Sequence, residues 1–212
     1  MMLLLIAVST SCDDVLEQSS VDSFTEESVF QDMNLTKAYL GRCYDAIGGT
    51  SRTPLGLQED LLAAGTDECL CIHRPSGYTN IKGTMSPDEL GHFGNNRFEW
   101  MKWETLYSNI KNVNILLANI DEVPISPSDD PDLKERMKGE AYFIRAFDFA
   151  NLMRSYGGVV IVTEPYELDQ DFLSITRSSL DETLNFILSD IDEAMQRLPM
   201  EYGNSDLGRA TK

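Results

Sequence analysis

Between Asp67 and Trp100 the chain gathers side chains of the kinds that hold sugars. Tyr78, Phe93 and Trp100 offer aromatic faces that stack on the apolar C–H patches of a pyranose ring. Asp67, Asn80, Asn95, Asn96 and Arg97 supply the carboxylate, amide and guanidinium groups that bond to hydroxyls, with Glu68, His73 and Arg74 close by. Most of these residues fall between Thr50 and about Asn96, where Gly, Pro, Ser and Asn recur and helical periodicity fails. Only Leu55–Ala64 and Ser86–His92 could be helical there. An irregular excursion of this length in a compact domain is where binding function concentrates. For Phe93 and Trp100 the alternative stands beside it, that they fold the loop down onto the helices.

Other chemistries find less support. Glu59 with Asp60, Asp67 with Glu68, and Asp88 with Glu89 are carboxylate pairs of the type glycosidases use. Among thirty-five acids such neighbours arise by chance, and nothing marks one pair as desolvated. Cys69-Leu-Cys71-Ile-His73 has the look of half a metal site, but no second ligand pair follows and His92 is the only other histidine. Semi-buried thiols or a single disulfide account for these cysteines with less. Serine elbows, phosphate loops and HExxH motifs are absent. The expectation is a protein without catalytic residues, metal or cofactor.

The loop must be carried by the helices around it. Ser23-x-x-Glu26 reads as a capping box opening a helix whose inward side is Val29, Met33, Leu40, Cys43, Tyr44 and Ile47, ended by Gly48-Gly49. From Phe98 the period returns with Trp103, Leu106, Tyr107, Ile110, Val113, Leu117 and Ile120, closed by Pro124 and Pro127. Trp103 and Tyr107 lie on that stripe and read as core. Asp130-Pro131 predicts the start of the next helix, and Gly157-Gly158 its end. Within it, residues 139–158 are apolar on more than one side, through Ala141, Ile144, Ala150 and Met153 and the widening Phe143, Phe147 and Phe149. Such a helix needs neighbours on both flanks, and its charges Arg145, Asp148 and Arg154 must be paired or lie at layer edges. Val159–Val162 predicts a short extended piece. Ser179-x-x-Glu182 then caps an amphipathic helix with the stripe Leu180, Leu184, Ile187, Ile191, Ala194 or Met195, and Leu198. The last residues, Gly208–Lys212, read as the start of a further helix. The fold class that follows is all-α, a tetratricopeptide-like stack of helical hairpins with one long irregular excursion, occupying 23–212 and truncated at its C-terminal side.

Composition narrows the partners. Seventeen Lys+Arg against thirty-five Asp+Glu give a formal net charge of −18, which repels nucleic acid and anionic headgroups. At the N-terminus Leu3–Val8 form an apolar run too short to span a bilayer, followed by Ser9, Thr10, Ser11 and Cys12. That is the order of a bacterial lipoprotein signal: residues 1–11 are removed, Cys12 carries the lipid, and the acidic 12–22 form a tether. No basic residue precedes the run, and Ser9 stands where such signals usually carry Leu.

Five segments in order resemble the SusD and RagB type of outer-membrane glycan-binding lipoproteins. They are the acidic start CDDVLEQ at Cys12, the Trp103-x-x-x-Tyr107-x-x-Ile110-x-x-x-Asn114 helix, and GEAYFIRAFDFANLMRSYGG with the apolar strand after it. The last two are RSSLDETLNFILSDIDEAMQRLP and the terminal GRATK. Val159-Val160-Ile161 departs from the family, which commonly has proline after the glycines. The resemblance covers the family's N-terminal half. It implies a lipid-anchored protein on the exterior of the outer membrane that captures oligosaccharide and passes it to a SusC-like TonB-dependent transporter, without catalysis. A helical interaction scaffold with no sugar site, and more remotely a helical glycoside hydrolase, are the competing expectations.

Overall fold

The structure is a computed structural model, and it describes residues 25–48, 67, 83, 103–166, 172–203 and 206–212. Its helices are α1 (Glu26–Val29), α2 (Met33–Gly48), α3 (Trp103–Asn119), α4 (Leu133–Tyr156) and α5 (Leu180–Arg197), with single 3-10 turns at Ile120–Glu122 and Phe172–Ser174. No strand occurs among the described residues. The architecture is the all-α, tetratricopeptide-like stack that the periodicity predicts. Its central member is α4, which packs against α2 and α3 and, most extensively, against α5.

The centrality of α4 follows from its sequence. Met137, Ala141, Ile144, Phe149 and Leu152 are at most 1% exposed and occupy more than one side of the helix. Two apolar clusters meet it. One joins Leu40 and Cys43 of α2, Val113 and Leu116 of α3, and Met137, Ala141 and Ile144 of α4. The other joins Leu106 and Ile110 of α3, Phe149 and Leu152 of α4, Val159, and Ile187 of α5. Each fully buried aliphatic or aromatic side chain here contributes about 1.5–3 kcal/mol of transfer free energy.

The boundaries differ from expectation in ways local chemistry explains. The capping box read at Ser23 lies partly outside the described residues, and the cap is Thr25, whose hydroxyl accepts from the Ser28 amide at 3.2 Å. The helix expected to run on to Gly48 breaks after one turn. Asp32 Oδ1 accepts from the amides of Asn34 and Leu35, at 2.7 and 3.0 Å, and so starts α2 afresh. The break lets Phe30 turn into the core. Asp130 is likewise not the cap of α4. Its carboxylate accepts from the Asp132 amide at 3.0 Å, holding a turn, and Asp132 takes the N-cap position. The capping box at Ser179 and Glu182 is present in both directions.

Gly157-Gly158 ends α4 for two separate reasons. Gly157 has φ 75°, a region L side chains avoid. At Gly158 a Cβ would lie 2.2 Å from the Ser178 carbonyl oxygen, so only glycine allows that approach. The chain then runs extended through 159–162 as a strap rather than as a paired strand. The Val159 carbonyl accepts from the Ser178 amide at 2.8 Å, and the Val159 amide donates to Thr183 Oγ1 at 3.3 Å.

One further expectation is corrected. Of the stripe assigned to α5, Ile187, Ala194 and Leu198 are buried, but Leu180, Leu184, Ile191 and Met195 are exposed and, with Leu188, line the outer face. The inward face is set instead by Thr183 and Asp190, which have partners on α4 or the strap. The segment 208–212 lies against the bundle. Glu140, fully buried on α4, receives Arg209 Nη1 at 2.7 Å and the Tyr202 hydroxyl at 3.1 Å. The Ala210 amide donates to the Tyr44 hydroxyl at 3.1 Å. A buried carboxylate left unpaired is strongly destabilising, and this segment provides the counter-charge.

Candidate functional site

The residues singled out for sugar binding fall mostly outside the described part of the chain. Tyr78, Asn80, Phe93, Asn95, Asn96, Arg97 and Trp100 lie there, as do Cys12, the Cys69–His73 cluster and the carboxylate pairs apart from Asp67. Asp67 itself is exposed at a bend. Among the described residues no group of three His, Cys, Asp or Glu side chains could hold a metal, and no helix is long and apolar enough to cross a membrane. Cys43 is a free, buried thiol whose pKa burial pushes up to about 12, which leaves it inert at neutral pH.

A cleft that the sequence reading did not assign opens between α3 and the end of the strap. Its volume is about 410 Å³, within the range of small-molecule sites. From α3 it is lined by Glu104, Tyr107, Ser108 and Lys111, which at i, i+3, i+4 and i+7 share one face of the helix. Opposite stand Val162, Glu164, Pro165 and Tyr166. Tyr107 is half-buried, while Tyr166 is 43% exposed at the rim.

Both walls are held from behind. The Tyr107 hydroxyl donates to the Val160 carbonyl at 2.6 Å, and Asn114 Nδ2, two turns further along α3, donates to the Val162 carbonyl at 3.0 Å. These two bonds pin the strap to α3 at alternate residues. Burial drives the Tyr107 phenol pKa well above its ordinary value, so it acts as a neutral donor. Trp103 packs on Tyr107 with ring centroids 4.7 Å apart and edge-on to Tyr156 at 5.2 Å. Its outer side carries the Arg177 guanidinium 5.4 Å from the ring centroid, and Arg177 also donates to the Tyr156 carbonyl at 2.7 Å. Trp103 and Tyr107 are therefore packing residues as expected, and Tyr107 is also cleft wall.

Behind the cleft a buried polar network fixes α3, α4 and α5 in register. Arg145 donates bidentately to Asp190, from Nε at 2.7 Å and Nη2 at 2.8 Å, and from Nη1 to Asn114 Oδ1 at 2.8 Å. Asn114 thus links the ion pair to the strap. Burial raises the Asp190 carboxyl pKa, and the guanidinium opposes that rise. Among the described residues Asp148 has no such partner: Asn109 Nδ2 donates to it at 2.8 Å, and desolvation lifts its pKa to about 8. The network orients the walls of the cleft. What the cleft itself offers is aromatic surface, two carboxylates and one ammonium on a rigid frame.

The sequence held a signal for this site. Glu164-Pro165-Tyr166 places an aromatic directly after a proline at the end of an extended run, and α3 repeats polar residues along its outer face. Only the strap's return onto α3 makes the two adjacent, and that is a tertiary fact.

Comparison with known proteins follows the same lines. Residues 89–212, which include α3, the strap, α4 and α5, match the family SusD-like_3, described as starch-binding associating with outer membrane. SusD-like protein P38 of Formosa agariphila is 28% identical over 200 residues, covering 93% of this chain and 36% of that protein. SusD-like protein P25 of the same organism is 32% identical over 111 residues, covering 52% of this chain and 20% of its own length. Among solved structures, a SusD-like protein from Bacteroides fragilis superposes with a TM-score of 0.66 at 27% identity, over 88% of this chain and 34% of that one. A laminarin-binding SusD-like protein superposes with the same TM-score at 22% identity, over 85% of this chain and 37% of that one.

Proposed function

This chain belongs to the SusD-like family of carbohydrate-binding proteins associated with the outer membrane, and from that premise we propose that it captures oligosaccharide outside the cell for uptake. In this reading residues 1–11 are a signal peptide, Cys12 carries the lipid and 12–22 tether the helical domain to the membrane. The captured glycan passes to a SusC-like TonB-dependent transporter, and no bond is cleaved on the way. Tyr78, Asn80, Phe93, Asn95, Asn96, Arg97, Trp100 and Asp67 are the loop residues proposed to contact sugar. The chain spans about a third of the length of the relative it matches over most of its own residues, so glycan and transporter contacts of the whole protein are part of the proposal.

The observation that carries the reading is the family match across 89–212, more than half of the chain. Calorimetric titration of the purified protein with soluble starch, laminarin, mannan and host-type glycans tests it, together with co-purification of the transporter from outer membranes. Binding of at least one polysaccharide is expected. The exposed stripe Leu180, Leu184, Leu188, Ile191 and Met195 favours the second reading, a protein-interaction scaffold. Co-purification with the transporter and no binding to any glycan would decide for it.

A further inference from the structure

The cleft between α3 and the strap has the composition of a carbohydrate subsite of a particular kind. Tyr166 stands 43% exposed at its rim beside Pro165, and the Tyr107 ring forms part of the opposite wall. Aromatic surface of this sort accepts the C–H face of a sugar ring and excludes little else by shape. Around it lie Glu104, Glu164 and Lys111, all exposed, so that polar groups that bond hydroxyls converge on an aromatic platform. Tyr107 and Asn114 hold the strap from behind, so the platform is set before a ligand arrives and less ordering entropy is lost on binding.

The charges select the class of sugar. Two carboxylates and one ammonium line the cleft, on a chain whose formal net charge is −18. Uronate or sulfate groups brought within a few ångströms of Glu104 and Glu164 meet like charge at distances shorter than the Debye length of about 8 Å. Neutral hydroxyls meet acceptors. We propose that this cleft is a saccharide subsite that takes a short stretch of neutral glycan, stacked on Tyr166 and bonded through Glu104, Glu164 and Lys111. This rests on the glycan-capture reading above and assigns it a place and a charge class.

Calorimetry on the purified protein, with Tyr166→Ala and the near-isosteric Glu104→Gln, tests both parts. The probes are laminarihexaose, maltohexaose, cellohexaose and mannohexaose as neutral chains and a mannuronate hexamer as the anionic one, and thermal melts show which variants are folded. Wild type is expected to bind at least one neutral hexamer and not the mannuronate. Tyr166→Ala is expected to weaken that binding about tenfold or more. Glu104→Gln, whose exposed position makes it harmless to the fold, is expected to weaken it about threefold or more. If wild type binds a neutral chain and a folded variant of either kind binds it equally well, the subsite is overturned while glycan capture stands. Preference for the mannuronate overturns the charge class. If wild type binds none of the probes and no polysaccharide of the wider panel, capture itself fails and the subsite with it.

Discussion

As far as Arg145, α4 buries Glu140 and Arg145 opposite full counter-charges, whereas beyond it the helix buries Asp148, Asn151 and Ser155 with polar groups only partly satisfied among the described residues. Glu140 meets Arg209 and Tyr202, and Arg145 meets Asp190 and Asn114. Among the described residues Asp148 meets the Asn109 amide and Asn151 Oδ1 accepts from Arg154 Nη2 at 2.8 Å, while Asn151 Nδ2 and Ser155 Oγ have no hydrogen-bond partner. The difference teaches what each half is for. The paired half ties α4 to elements that come later in the chain, α5 and the segment at Arg209, so it encodes register over long sequence distance. The less fully paired half packs against the N-terminal part of α3 and against Phe186 and Ile187 of α5, through apolar contacts around Phe149 and Leu152. Its two unsatisfied atoms, Asn151 Nδ2 and Ser155 Oγ, carry a desolvation cost with no bond to offset it.

Asp190→Ala tests the paired half and carries the largest expected effect. It leaves the Arg145 guanidinium buried without its carboxylate, and loss of one member of such a pair costs about 3–5 kcal/mol. Urea unfolding measures it. Arg145→Met combined with Asp190→Leu removes both charges and is expected to recover most of that loss. If the single and double variants are equally unstable, the pair acts through packing and the contrast between the halves disappears.

The pH dependence tests the other half. In the unfolded chain Asp148 releases its proton at the ordinary 3.8, whereas in the fold it holds the proton up to about 8. Between those values the unfolded state binds fewer protons than the native one, so stability falls as pH rises, by up to about 1.4 kcal/mol per pH unit from this group. The groups facing it are Asn109 of α3 and the Cys43 thiol of α2, itself neutral there. Asp148→Asn keeps an acceptor for Asn109 and removes the titration. Its unfolding free energy is expected to lose that slope between pH 4 and 8 and to exceed wild type at pH 8. An unchanged slope would mean that Asp148 is ionised in the fold and has a counter-charge.

These contrasts also mark how far the sequence could be read. The two-sided apolar pattern at 139–158 revealed that α4 is central and that Arg145, Asp148 and Arg154 need partners. It did not reveal Glu140, because an acid among Lys138, Gly139 and Ala141 looks like one more solvated residue until Arg209 folds back on it. The stripe on α5 was legible as amphipathic but rotated, since a period cannot say that Thr183 and Asp190 face inward when their partners lie on the strap and α4. The Gly157-Gly158 stop was legible as a helix end, while its steric reason at Ser178 was not. For the site, Trp103 and Tyr107 were readable as packing residues. The cleft was not, because its two walls are about fifty residues apart and meet only through the bonds from Tyr107 and Asn114.

The smallest effect isolates the cost of an unpartnered group. Ser155 lies in the last turns of α4 with its hydroxyl buried and unbonded. Replacing it by Ala removes that desolvated oxygen and adds helix propensity, two changes of the same sign. Ser189, exposed on α5, gains only the propensity on the same replacement. Ser189→Ala is therefore the reference, with an expected gain of a few tenths of a kcal/mol, about 0.5 at most. Ser155→Ala is expected to exceed it by about 1 kcal/mol, the usual cost of leaving such a group unsatisfied. Paired thermal melts at one pH make the difference readable even though each shift is small. Equal gains at the two positions would mean that Ser155 bonds to something in solution, and the second half of α4 would then be as well satisfied as the first.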